Sequence, residues 1–152
     1  FGLEASVGLA LQTIAAPKVS LPPPEVLRGH GKILIVDDSP DNRDLLTYYV
    51  SPMGFEVKTA ENGYEAVQFA QEDNFDIVFM DIQMPGMDGV EAVRILRDKK
   101  YIKPVVALTA HAMKGDRERF LEEGFDHYVC KPIQKELLYE CLTMFTKTQP
   151  SV

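Results

Sequence analysis

The chain has 152 residues, 45% hydrophobic and 26% charged, which suits one globular domain with a sizeable core plus a tail. A formal net charge of −7 argues against sequence-independent binding to nucleic acid and against direct contact with an anionic membrane surface. No run is long enough to span a bilayer and no basic stretch opens the chain, so a cytoplasmic setting is expected, with Cys130 and Cys141 as buried free thiols.

In residues 1–16, Leu3, Val7, Leu11 and Ile14 fall at helical spacing, while Gly2 and Gly8 work against a helix. A short amphipathic helix and a partly ordered extension both stay open. Pro17 and Pro22-Pro23-Pro24 favour a semi-rigid polyproline spacer, and Gly29 and Gly31 loosen its end. Residues 1–30 are therefore read as extension and linker, 31–147 as the folded domain and 148–152 as a tail. The start at Phe1 rather than Met suggests processing or excision from something longer.

From Lys32 the chain alternates between strand and helix. Ile33-Leu34-Ile35-Val36 is a β-branched apolar run closed by Asp37-Asp38. Ser39-Pro40 then supplies an N-cap and a first-turn proline for a helix that stops near Pro52-Met53-Gly54. Phe55 to Ala60 reads as a strand, Glu61-Asn62-Gly63 as a turn, and Tyr64 to Glu72 as a helix. Phe75 to Asp81 is an almost unbroken apolar run ending in a carboxylate, followed by a loop rich in Pro and Gly. A helix follows across Val90, Val93, Ile95 and Leu96, ending near the solvated pair Lys99-Lys100. Pro104 to Leu108 is a strand ending at Thr109, and Met113 to Glu123 a helix ending at Gly124. His127 to Cys130 is a short fifth strand before Lys131-Pro132, and Glu136 to Phe145 closes the domain as a helix. Five βα repeats predict an α/β fold, with a parallel sheet covered on both faces.

In such a sheet every strand's carboxyl end lies on one edge, where ligands of open α/β folds bind. Asp37, Asp38, Asp81, Thr109 and Lys131 all fall there. Three carboxylates crowded together raise one another's pKa and cost stability, a penalty that a hard divalent cation removes. With a lysine and a hydroxyl to meet an anion, the set suits phosphoryl chemistry with Asp81 as nucleophile.

These residues stand in motifs: Val36-Asp37-Asp38; Met80-Asp81-Ile82-Gln83-Met84-Pro85-Gly86-Met87-Asp88-Gly89; Ala107-Leu108-Thr109-Ala110; and Lys131-Pro132. All four in order, each at a strand end, resemble the receiver domain of two-component response regulators, over about Lys32 to Phe145. The resemblance implies a flavodoxin-like doubly wound (βα)5 fold with strand order 2-1-3-4-5. It implies that Asp81 accepts a phosphoryl group from a histidine kinase or a histidine phosphotransfer domain. Asp37, Asp38, Asp81 and the backbone carbonyl of Gln83 would hold Mg²⁺ (or Mn²⁺). Thr109 and Lys131 would contact the phosphoryl oxygens, and Tyr128 would turn inward as Thr109 moves, with plain core packing as its alternative role. Gln83 and His111 would tune phosphoryl lifetime, and Pro132 would follow a cis peptide bond. The wording around Asp37 and Thr109 looks most like receivers of hybrid histidine kinases; a stand-alone regulator is the alternative. A homodimer through the last helices is a further expectation.

Two other classes compete. A pseudo-receiver would use the same fold as a binding module without phosphorylation, which the intact Asp, Thr and Lys set opposes. A phosphohydrolase would need a second acid/base Asp close after the nucleophile, where Gln83 stands.

Overall fold

A computed structural model describes residues 27–28, 31–110, 113, 115–146 and 149–150. The expectation for residues 1–16 and the role suggested for His111 lie outside the described residues. In chain order the elements are β1 (Lys32–Val36), α1 (Pro40–Val50), β2 (Glu56–Ala60), α2 (Gly63–Glu72), β3 (Ile77–Asp81), α3 (Gly89–Asp98), β4 (Val105–Thr109), α4 (Asp116–Glu123), β5 (His127–Cys130) and α5 (Lys135–Phe145). All five strands run parallel in the order β2-β1-β3-β4-β5. Apart from this sheet, Leu27–Arg28 pairs antiparallel with Gln149–Pro150, so segments read as linker and tail meet.

The strands divide the core by their two-residue period. Ile33, Ile35, Ile77 and Phe79 point to the face covered by α1 and α5, where Leu46, Val50, Leu138 and Leu142 meet them. Leu34, Val36, Val78 and Met80 point to the other face, against Ala66 and Ala70 of α2, Ala92, Val93 and Leu96 of α3, and Phe120 of α4. Nearly every residue of β1, β3 and β4 is buried, which is why these strands read as continuous apolar runs. Each fully buried Ile, Leu or Phe contributes about 1.5–3 kcal/mol relative to exposure. The edge strand β2 instead exposes Glu56, Lys58 and Thr59, charged and polar residues that discourage pairing with another chain.

α1, α2 and α3 begin at side chains that cap them. Ser39 caps α1, with Pro40 at the first position. Asn62 Oδ1 accepts the Glu65 N–H at 2.9 Å and Asp88 Oδ1 the Glu91 N–H at 2.8 Å, starting α2 and α3. α4 departs from expectation. It starts at Asp116 rather than Met113, because Gly115 takes a left-handed φ of +90° that no helix continues through. Cys130 and Cys141 are free thiols, and burial pushes the Cys141 thiol up to about 12. Among the described residues, no helix is long and apolar enough to cross a membrane.

Candidate functional site

Strand register builds the site. Val36 of β1 lies beside Met80 of β3, so Asp37 and Asp81 are the next residues along two adjacent strands. Asp81 is level with Leu108 of β4, which puts Thr109 one step beyond, and Thr109 is level with Cys130, which puts Lys131 one step beyond that. The edge is locked by backbone hydrogen bonds: the Ile82 N–H donates to Leu108 O at 3.0 Å and the Lys131 N–H to Thr109 O at 2.7 Å. Asp37, Asp81 and Thr109 are buried, Lys131 is half-buried and Asp38 is exposed.

One carboxylate oxygen from each of Asp37, Asp38 and Asp81 lies within 4.8 Å of the others. Lys131 Nζ sits 3.3 Å from Asp37 Oδ2 and 3.2 Å from Asp81 Oδ2, joining the two buried acids. Burial drives the Asp81 carboxyl up to about 6, the Asp37 charge adds to the rise, and Lys131 opposes it. Burial pulls the Lys131 ammonium down, but the Asp81 and Asp37 charges outweigh it and leave it raised. The third carboxylate, Asp38, is exposed at the mouth, and among the described residues it makes no ion pair with a lysine. Three convergent carboxylates, one of them facing solvent, could hold a hard divalent cation.

Neighbouring groups orient the acids. Asp37 Oδ1 accepts the Ser39 N–H at 2.9 Å, Asp37 Oδ2 accepts from Asn42 Nδ2 at 3.2 Å, and Arg43 Nη1 donates to the Asp37 carbonyl at 2.7 Å. Asn42 and Arg43 are missing from the candidates above. Their signal was their place in the first turn of α1, which folds back over the strand end. The Gln83 side chain is exposed, while its N–H donates to Asp81 Oδ1 at 3.2 Å. The loop after Asp81 opens onto a groove of about 560 Å³ lined by Ile82, Gln83, Met84, Pro85 and Asp88.

Tyr128 of β5 is half-buried. Its ring centroid is 5.4 Å from that of Phe120 on α4 and 6.0 Å from that of His127. The Lys131–Pro132 peptide is cis, as the resemblance implied.

The family of response regulator receiver domains matches residues 33–143. The chain belongs to this family. As a receiver it is a two-component signalling domain, and its curated relatives include hybrid kinases. It is 39% identical over 145 residues to the sensor protein GacS of Pseudomonas syringae pv. syringae, covering 90% of this chain and 16% of that protein. The receiver spans between 7% and 16% of the length of curated relatives such as this one. Among solved structures, it resembles the receiver domain of sensor histidine kinase PA1611 from Pseudomonas aeruginosa PAO1, determined with a magnesium ion in its active-site cleft. The identity is 32% and the TM-score 0.70, over 76% of this chain and 97% of that one. It also resembles the Ssk1 receiver structure, a co-crystal with the phosphotransfer protein Ypd1 of Saccharomyces cerevisiae: 29% identity and TM-score 0.72, over 78% and 90% of the two chains.

Proposed function

We propose that this receiver is a phosphoacceptor whose Asp81 takes a phosphoryl group from a phosphohistidine, with Asp37, Asp38, Asp81 and the Gln83 carbonyl holding Mg²⁺ (or Mn²⁺). The observation that carries the reading is the acid cluster itself: three carboxylates within 4.8 Å of one another, with one lysine shared between two of them. A bound divalent cation supplies charge neutralisation to the carboxylates and to the incoming phosphoryl oxygens. An Asp81 carboxylate oxygen attacks phosphorus, the P–O bond forms as the P–N bond breaks, and the imidazole nitrogen keeps the bonding pair. Lys131, already beside Asp81, donates to a phosphoryl oxygen, and the Thr109 hydroxyl donates to another. The acyl phosphate carries about −1.5 to −2 charge in place of the single negative charge of the carboxylate, and carries it further out from the strand end. Thr109 and Tyr128 then carry the change to the face formed by α4, β5 and α5, while Gln83 and His111 tune how long the group survives.

Nothing in this scheme turns over an external substrate, so the domain acts as a switch rather than an enzyme. The relatives' names favour a hybrid histidine kinase as the parent protein; a cytoplasmic location belongs to the same proposal. The Ypd1 co-crystal favours a histidine phosphotransfer domain as partner, alongside the kinase.

The test is intact-mass analysis after incubation with a small acyl phosphate donor. A single phosphoryl adduct is expected with Mg²⁺, none with chelator, and none in Asp81→Asn. Equal labelling of Asp81→Asn would overturn the assignment, and absence of both labelling and Mg²⁺ binding in the native protein would return the chain to a pseudo-receiver.

A further inference from the structure

Two glycines beside the site are there for space rather than for backbone conformation. Gly86 sits at φ +78°, where glycine is favoured, but Gly63 and Gly89 lie outside the left-handed region. Neither has room for a side chain. A Cβ on Gly89 would fall 2.3 Å from the Asp81 carbonyl oxygen. One on Gly63 would fall 2.6 Å from the Met87 carbonyl oxygen, and 2.8 and 2.9 Å from Met87 Cγ and Cβ. The nearest obstacle in each case is a carbonyl oxygen, which no change of rotamer relieves.

Gly63 belongs to a different element from the loop it touches. It opens α2, and that helix end is held in place: Asn62 Oδ1 accepts the Glu65 N–H, and Glu65 Oε1 accepts the Glu61 N–H at 2.8 Å. The next residue, Tyr64, brings its ring edge to 3.4 Å from where a Gly86 Cβ would stand. The loop between Asp81 and α3 thus meets the start of α2 closely at Met87, with the Tyr64 ring beside Gly86. At its base, the Gly89 N–H donates to Ile82 O at 2.9 Å. What this loop carries is Gln83, whose N–H donates to Asp81 Oδ1 at 3.2 Å.

We infer that Gly63 is a positioning residue for the phosphoacceptor site: its missing side chain lets α2 seat against Met87, and that contact sets the Gln83 main chain against Asp81. The inference rests on the proposed function, since it takes the Gln83 carbonyl as a metal ligand. A methyl group at position 63 drives Met87 and the loop outward. The Gln83–Asp81 hydrogen bond lengthens and the carbonyl is withdrawn, as when an outer partner of a metal ligand is lost.

The experiment measures Mg²⁺ binding by calorimetry, with Mn²⁺ as a second probe, for wild type, Gly63→Ala, Tyr64→Ala and Val50→Ala. Val50 is buried on the opposite face of the sheet and reports stability loss alone. Gly63→Ala is expected to bind Mg²⁺ about tenfold more weakly. Val50→Ala should bind as wild type despite lower resistance to urea. In the metal-free protein, the Gln83 amide of Gly63→Ala should exchange its proton faster than that of wild type. Wild-type affinity together with an unchanged Gln83 amide in folded Gly63→Ala overturns the inference. If that variant does not fold, Tyr64→Ala, at an exposed position, decides by the same two readouts. Failure of wild type itself to bind Mg²⁺ overturns the functional reading instead.

Discussion

At the residue scale, the dominant fact is that Asp81 is held in a place unfavourable to its charge. Burial and the Asp37 carboxylate raise it from 3.8 to about 6 in the folded protein. Between those values the folded chain binds more protons than the unfolded chain, so stability falls as pH rises. This contribution is fully present below about pH 4 and lost above about pH 6. Asp81→Asn removes the penalty. In metal-free protein at pH 8 it should unfold at higher urea, by about 1–2 kcal/mol after discounting for solvent at the open mouth. The gain should shrink as pH falls through about 6 and vanish below about pH 3, where the carboxyl is protonated in both folded and unfolded states. A variant less stable than wild type at pH 8 would mean that the Lys131 contact, not the like-charge penalty, governs this carboxylate.

At the element scale, one side chain ties several elements together at the end of the sheet opposite the acids. Arg97, near the end of α3, donates to the carbonyls of Gly124 (2.9 Å), Tyr101 (2.7 Å) and Lys103 (2.9 Å), and to Asp126 Oδ2 (2.8 Å). The same Asp126 oxygen accepts the Val105 N–H at 2.8 Å, where β4 begins. This clasp joins α3, the start of β4 and the turn from α4 into β5. Arg97→Ala leaves several partly buried acceptors without their donor and should cost about 2–3 kcal/mol in urea unfolding. Arg97→Lys should recover little of that, because an ammonium cannot reproduce the planar fork. Such a contact cannot be read along the chain, since its partners are separated by up to 29 residues. The α4 boundary is different. Its cause, Gly115, is in plain sight, but apolar and charged residues on either side mask a glycine that must take a left-handed φ.

For the whole molecule, a cation that binds the folded state and not the unfolded one stabilises by mass action. Mg²⁺ at about a hundred times its Kd should add about 2.7 kcal/mol. For a domain of this size that raises Tm by roughly 5–10 °C. Asp37→Ala should abolish the rise in a thermal melt, and an equal rise in that variant would place the cation elsewhere. The repeating βα pattern, the buried central strands and the strand-end residues Asp37, Asp81, Thr109 and Lys131 were all legible along the chain. Short apolar runs bounded by turn residues are local signals, and in a parallel sheet a strand's end is also its place at the active edge. Strand order was available only through the likeness to a family, because nothing local says which strands are neighbours. Three things were decided by the tertiary structure: the lysine shared between Asp37 and Asp81, the seat of Asn42 and Arg43 around Asp37, and the closeness of Gly63 to Met87. The first and the last depend on distances of a few ångströms between residues far apart in the chain, which exist only once the layers have packed; the second depends on how the first turn of α1 folds back over the end of β1.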